Sequence, residues 1–357
     1  MDRIHALLDA ESASTATTKT LDIDINDPIS QIVVQMKGTN NGSTPTAVPA
    51  KMIKKIEIVD GSDVIASVSG IEAEAANILD ERRIGDGRNV YIDNIQAIFM
   101  ASINFGRFLG DKEYALDPSR FKNPQLKITH DKALGGSAPD AATLSVFAHI
   151  MENTTKPKGL LSLKEIFSWS LTSSAEQKID LPTTERVRKL IFQSLAAGKQ
   201  PWEQYNKLKL YFDSEKKVIL NGLKTSDLIK FLRGNPFFGE VCVVSQTGGQ
   251  ELTAYITPTL YVGCSSQGIE ATAGDTFHDG SYGGQLPLNA ATTGYLEALV
   301  RGKGPHGAMG IPFGDPLKPE EWLDPKPFKE FAAKVTAGSS VGSSSTCEVV
   351  AETERIY

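Results

Sequence analysis

Two stretches of this 357-residue chain follow one grammar, and the repetition constrains the fold more than any single motif does. Residues 21–35, LDIDINDPISQIVVQ, alternate apolar and polar positions, turn at Asp27-Pro28 and resume in an apolar run. Residues 179–193, IDLPTTERVRKLIFQ, keep that order of strand, turn, apolar run and closing Gln. Asp22 and Asp180 lie 158 positions apart, as do Gln35 and Gln193. The correspondence then continues: KKIEIV is answered by NKLKLYF, DGSD by DSEKK, and VIASVSG by VILNG, with Ile65 and Ile219 offset by 154. Each series ends in a helical period. Ile71, Ala75, Ile78 and Leu79 fall at i, i+4, i+7 and i+8 and predict a helix over 71–83 closed by GDG. The second helix, TSDLIKFLRG, is capped by Thr225 or Ser226 and ended by Gly234-Asn235-Pro236.

Downstream of each helix the pattern returns to short strands separated by Gly, Pro, Asn and Asp turns, among them QLKITHD and ATLSVFAHIM in the first half and GEVCVVS, GYLEALV and TCEVVAETERIY in the second. Regular strand–helix alternation is missing, so the sheets are antiparallel. The fold class expected is all-β: two tandem eight-stranded jelly-roll β-sandwiches with short helices after the early strands. Ile4, Leu7 and Leu8 share one face of an amphipathic helix predicted over residues 2–10, tethered by ESASTATTK. A further short helix is expected over Leu163 to Trp169. The domain reading is 1–18 for the N-terminal helix and linker, 19–155 for the first jelly roll, 156–176 for a connector and 177–357 for the second. Halves of this size can each bury a core.

Charge and cysteine content exclude several classes. The 37 basic and 43 acidic residues are spread along the chain, net −6, without the basic stripe that phosphate contacts require. Cys242, Cys264 and Cys347 lack C-x-x-C spacing, which argues against a zinc site or a disulfide framework, and they read as core or strand residues. The N-terminus lacks a signal-peptide pattern and no run of 18 apolar residues occurs, so a soluble protein made in the cytoplasm is expected.

Motifs that carry chemistry fail on context. Gly302, Gly304 and Gly307 match G-x-G-x-x-G, but Pro305 and the following AMGIPFGDP forbid the helix a dinucleotide site needs. Ser340 is central in a G-x-S-x-G match that lies in a Ser/Gly run leading to a strand, so it reads as a loop. His5, His130, His149, His278 and His306 are scattered, and the pairs His130-Asp131 and His278-Asp279 read as turn or surface. Asp22, Asp24 and Asn26 imitate a calcium loop, but its sixth and twelfth positions are Asp27 and Val33, so they read as the solvent face of a strand. No catalytic centre or cofactor site is expected, and no metal ligand is assigned.

The paired openings at 21–35 and 179–193, the stretch INFGRFLGDKEYALDPSRFKNPQLKITHD at 103–131 and the end TCEVVAETERIY together resemble the double jelly-roll major capsid proteins of tailless icosahedral viruses. The likeness is to those of bacteriophages with an internal membrane, such as corticoviruses, autolykiviruses and finnlakeviruses. It implies a structural, non-enzymatic protein of the virion shell, assembled in the host cytoplasm. Homotrimers would form pseudo-hexagonal capsomers that contact neighbouring capsomers and penton or minor capsid proteins. The segments 264–293 and 302–334 would form the outer surface or clasp neighbours, and the N-terminal helix would lie beneath the tile, with Ile4, Leu7 and Leu8 as inner-surface or membrane-facing contacts. Residues 1–20 carry Arg3 and Lys19 against Asp2, Asp9 and Glu11, too little positive charge to neutralise a genome, so a lipid layer is expected between shell and nucleic acid. The competing reading is a two-domain β-sandwich that binds carbohydrate or acts as an adhesin, with Trp202, Tyr255, Tyr261, Tyr282 and Trp322 as a sugar platform.

Overall fold

The computed structural model of the chain describes residues 2–81, 87–152, 154, 156–268, 276–277, 283–289 and 292–357. The proposed helix-closing Gly85-Asp86, His278-Asp279 and Tyr282 lie outside them.

In the first half the elements are β1 (Asp2–Ser12), β2 (Thr17–Asp22), β3 (Ile29–Thr39), β4 (Ile53–Asp60), β5 (Asp63–Val68), α1 (Gly70–Glu81), β6 (Asn89–Tyr91), β7 (Gln96–Asn104), β8 (Pro124–His130) and β9 (Ala141–Met151). The second half runs through β10 (Gly159–Ser170), β11 (Glu176–Asp180), β12 (Arg186–Gln193), α2 (Pro201–Gln204), β13 (Tyr205–Phe212), β14 (Lys217–Lys224) and α3 (Thr225–Phe231). It continues through β15 (Phe238–Gln246), β16 (Glu251–Tyr255), β17 (Pro258–Gly268), β18 (Thr276–Phe277), β19 (Gln285–Asn289), β20 (Gly294–Pro305), β21 (Ala308–Pro312), β22 (Phe331–Ala337) and β23 (Thr346–Ile356).

Strand order shows the duplication directly. In the first half, a sheet ordered β1-β9-β3-β7 faces one ordered β2-β8-β4-β5. In the second, β10-β23-β12-β21 faces β11-β22-β13-β14, so each strand has a counterpart in the same place. Alternation explains each core. On β3, Ile32, Val34 and Met36 are buried while Gln31, Val33 and Gln35 are half-buried, and the inward set meets Ile56 and Ile58 of β4 and Leu126 and Ile128 of β8. On the second core, Leu190 and Phe192 of β12 meet Leu208 and Leu210 of β13 and Val335 of β22. Full burial of each such side chain contributes about 1.5–3 kcal/mol. Asp22, Asp24 and Asn26 are exposed around the buried Ile23, as a strand's solvent face requires.

The halves differ by an insertion. Between α3 and β21 the second half adds a sheet ordered β18-β17-β20-β15, extended at its β15 edge by β6 of the first half, and a paired β16-β19. Cys242, Val244, Leu296, Ala298, Leu286 and Leu288 form its own core. The two sandwiches are also continuous: β5 meets β10 in parallel at Lys164 and Ser67, giving one eight-stranded sheet across the molecule. The C-terminal β23 is inserted between β10 and β12 in that sheet.

Helix α1 begins with a capping box. The Ser69 hydroxyl accepts from the Glu72 N–H at 3.3 Å, and the Glu72 carboxylate accepts from the Ser69 N–H at 2.6 Å. Gly70 is required because a Cβ there would meet the Ala50 carbonyl oxygen at 2.3 Å.

The two other predicted helices are strands, and they are counterparts. Residues 2–12 form β1, paired antiparallel with β9, and residues 159–170 form β10, paired with β23. Both carry register shifts, at Ala6/Leu8 and Leu8/Glu11 in β1 and at Glu165/Phe167 in β10. A bulge inserts an extra residue, so inward side chains stop recurring every second position and imitate a helical spacing. The 302–334 segment is also more ordered than a surface loop: it holds the end of β20, β21 and a short turn at Pro319–Glu321. Trp322, 4% exposed, packs 5.8 Å from Tyr114, so this segment clasps the first half of its own chain.

Candidate assembly surfaces

Helix α1 is one of the elements that tie the halves together. Asn77 fixes it to its own sandwich: its amide donates to the Ser102 carbonyl at 2.8 Å and its oxygen accepts from the Ser102 N–H at 2.7 Å. Two acids on the same helix reach into the second half. Glu74 Oε2 lies 2.8 Å from Nε2 of the fully buried His306, in the turn between β20 and β21. Asp80 lies 2.8 Å from Lys189 Nζ and 3.2 Å from Arg188 Nη1 on β12, and Arg188 also donates to Glu352 of β23. Both cations face the same way because β12 is bulged between Val187 and Lys189. Burial works to raise Asp80, but Lys189 and Arg188 outweigh it and hold the carboxyl below its ordinary range.

Among the described residues, three other carboxyls near this junction have no ion-pair partner. Burial pushes Glu72, Glu240 and Glu348 up to about 7 each. Glu165 repels both Glu72 and Glu348, and Glu74 repels Glu240. Glu240 accepts from the Thr257 N–H at 2.8 Å and the Asn89 amide at 3.0 Å, which joins the insertion to β6. At the far end of the junction the Tyr114 hydroxyl donates to Glu354, and Tyr357 donates to the Ala115 carbonyl while accepting from the Asp117 N–H, both at 2.7 Å. Sequence reading missed this chemistry, since its partners stand far apart along the chain.

The residues singled out from sequence scatter. Ile4 is 64% exposed, whereas Leu7 and Leu8 pack against the first core, so the three do not form one outward face. Gly302, Gly304 and Gly307 lie at the end of β20 and its turn into β21, where Gly307 has φ 74° and a Cβ would meet the Ser194 carbonyl oxygen at 2.1 Å. Ser340 lies in the turn between β22 and β23 and accepts from Lys199 at 2.8 Å. His130 is a correction: it is 3% exposed at the end of β8, against the turn or surface position expected, because its neighbour Asp131 alone enters the turn. His306 is likewise interior. Of the aromatic set, Trp202 and Tyr261 pack on each other against the second core, Tyr255 bridges two cores and Trp322 is buried. Cys242 and Cys347 are buried strand residues and Cys264 is half-buried. Among the described residues, no group of three or more His, Cys, Asp and Glu is placed to hold a metal ion, and no helix is long and apolar enough to cross a membrane.

Surfaces suited to contact do exist. A cleft of about 1140 Å³ opens between the halves, lined by Met100, Asn104, Phe108, Arg188, Arg233 and Leu317 among others. Phe108, Leu109 and Leu317 stand more than half exposed. On the insertion, Val241 and Leu299 sit opposite each other across β15 and β20 and are 45% and 50% exposed.

No family model matches the chain, and no curated protein sequence does. Solved structures do match it from end to end. The major capsid protein P2 of bacteriophage PM2 aligns with a TM-score of 0.57 and 12% identity, covering 100% of this chain and 98% of that one. The chain is a double jelly roll. The major capsid protein of STIV, Sulfolobus turreted icosahedral virus, aligns at 0.58 and 11%, covering 100% and 97%. PBCV-1 VP54, fitted into a reconstruction of the virophage Sputnik, aligns at 0.58 and 12%, covering 100% and 95%. At these identities the likeness is one of architecture, and in this double jelly roll it extends to both sandwiches.

Proposed function

We propose that this double jelly roll is the structural major capsid protein of an icosahedral virus, in which trimers form pseudo-hexagonal capsomers of the shell. The observation that carries the reading is the repeated strand order, β1-β9-β3-β7 with β2-β8-β4-β5 and again β10-β23-β12-β21 with β11-β22-β13-β14. Two equivalent sandwiches held rigidly by one continuous sheet supply two similar modules per chain. Three copies about a threefold axis then present six, which fills a hexagonal lattice position with a closed ring of heterologous contacts. The modules expected at 19–155 and 177–357 are extended at their N-terminal ends to take in β1 and β10, which pair within the sandwiches.

In this reading the partners are other copies of the chain, neighbouring capsomers, and penton or minor capsid proteins, in a virion assembled in the host cytoplasm. The net charge of −6 and the weakly charged N-terminal residues support a shell that does not touch the genome directly, with a lipid layer beneath it. Ile4, exposed on β1, serves as an inner-surface contact, while Leu7 and Leu8 serve the core. Mass measurement in solution followed by electron microscopy tests the assignment. A stable trimer with a pseudo-sixfold outline is expected; a persistent monomer at high concentration would overturn it.

A further inference from the structure

The junction inside the chain joins two unlike surfaces, and each of them has a counterpart that the chain leaves open. The covered surface is the outer face of β10-β23-β12-β21. Its Leu163, Ile191, Ala308 and Val350 are built into the first half's core, and Lys189 and Gln193 beside them are buried. The covering surface is β5 with α1. Ser67 pairs with Lys164, the Ile71 carbonyl accepts from the Gln193 amide at 3.4 Å, and Asp80 meets Lys189 at 2.8 Å.

In the first half the face equivalent to the covered one is that of β1-β9-β3-β7. The offset of 158 that relates Gln193 to Gln35 also relates Lys189 to Gln31 and Ile191 to Val33. The ladders agree, since Val33 stands opposite Phe147 as Ile191 stands opposite Val350. Burial does not agree. Gln31, Val33, Gln35 and Phe147 are only half-buried, Ala6 opposite Phe147 is exposed, and Gln31, Val33, Met100 and His149 wall the open cleft. Ile4, two residues before Ala6 on the same face, borders this surface on the side assigned to the shell interior.

In the second half the elements equivalent to the covering pair are β14 and α3. Helix α1 is buried round most of its circumference from Gly70 to Leu79, because it serves two modules. Helix α3 buries Thr225, Leu228 and Ile229 and leaves Phe231 66% exposed. Val68 of β5, opposite Ile56, is fully buried, whereas Leu223 of β14, opposite Leu208, is 41% exposed. Among the described residues, the outer edges of β14 and of β1 pair with no strand.

We infer that β14 and α3 of one copy cover the outer face of β1-β9-β3-β7 of the next, as β5 and α1 cover β10-β23-β12-β21 within the chain. The internal junction carries the choice of a second copy as occupant. Each chain makes this contact once internally and has one covering and one covered surface left over, so copies join head to tail. Repeating the contact closes a ring of three chains, whereas an isologous contact would stop at two. An open strand edge beside an unpartnered apolar face is what such pairing consumes. The register follows from the internal bridge. The offset of 154 relates Ser67 to Asn221. Lys164 stands opposite Ala351 on β23 as His5 stands opposite Ala148 on β9. Asn221 of one copy therefore lies beside His5 of the next.

The inference rests on the reading of a trimeric capsomer, and it can fail separately from it. The test is the mass in solution of full-length variants whose fold is checked by circular dichroism. Leu223→Glu with Phe231→Glu removes the covering surface, and Val33→Glu with Phe147→Glu removes the covered one. Each variant alone is expected to be a monomer. Mixed in equal amounts, the two are expected to form a heterodimer and stop there, because one intact surface of each kind remains. His5→Cys with Asn221→Cys is expected to give covalent trimers on mild oxidation, and neither single cysteine variant is. Trimers that persist in either surface variant, a mixture that stays monomeric, or a trimer whose cysteine pair does not cross-link overturns the inference and leaves the capsomer reading standing. A wild type that stays monomeric at high concentration overturns both.

Discussion

Asn77 and Asn235 stand 158 positions apart, the offset that separates Asp22 from Asp180, and each makes the same two hydrogen bonds. Asn77 brackets the backbone of Ser102 on β7, at 2.8 and 2.7 Å; Asn235 brackets Gly310 on β21, at 2.9 Å for both bonds. β7 and β21 occupy the same position in their sheets, so each amide acts as one extra rung of a ladder beside the equivalent edge strand of its module. Asn235→Ala leaves a buried N–H and a buried carbonyl without partners and is expected to cost about 1–3 kcal/mol. Asn77→Ala, at a half-buried position, is expected to cost less. Urea unfolding of the two variants checks the order, and equal wild-type stability in Asn235→Ala would count against the bracket.

Glu352 and Arg188 are each 5% exposed at the side chain and share the junction with Lys189 and Asp80. Glu352→Ala removes one of two anions and leaves two buried cations on Asp80 alone, an expected loss of about 3–5 kcal/mol. A double-mutant cycle with Arg188→Met is expected to recover part of that loss, because the uncompensated charge goes with it. Additive losses would show that the two residues do not interact.

The pH dependence follows from the junction carboxyls. Glu72, Glu240 and Glu348 titrate near 7 in the fold against an ordinary value of 4.5, so over that interval the folded chain binds more protons than the unfolded one. Stability from these groups is complete below about 4.5 and is lost as pH rises through about 7. On the acid side the sign reverses. The Arg355 guanidinium holds Asp63 below its ordinary 3.8, and Asp80 and Asp111 are held low as well, so what they contribute is lost as pH falls. The urea midpoint is expected to drop between about pH 5 and about pH 8, and Glu240→Gln should make that drop shallower. A flat profile would contradict the assignment.

The N-terminal strand separates Ile4 from Leu8. Ile4→Asp is expected to shift stability by less than about 0.5 kcal/mol, as at other exposed positions. Leu8→Asp places a charge against the first core and is expected to cost roughly 2 kcal/mol or more. Thermal melts of the two variants check the contrast, which a helix exposing Ile4, Leu7 and Leu8 together would not produce.

Much of the architecture is legible in local sequence pattern. The period-two runs at 21–35 and 179–193, the hairpins and the helices that begin at Gly70 and Thr225 all appear where local pattern placed them. The site chemistry was not readable. His306 and Glu74 are 232 positions apart, and nothing in the surroundings of either residue marks the other.

The sequence by itself determined the two modules, their early strands and the helix in each, because backbone periodicity and turn chemistry act between near neighbours. Tertiary structure decided the first strand of each module, β1 and β10, where bulges broke the alternation and only pairing with β9 and β23 fixed the backbone as extended. It also decided that the two modules share a sheet and that α1 carries the acids at their junction, since burial and distant charge partners exist only once the chain has closed on itself.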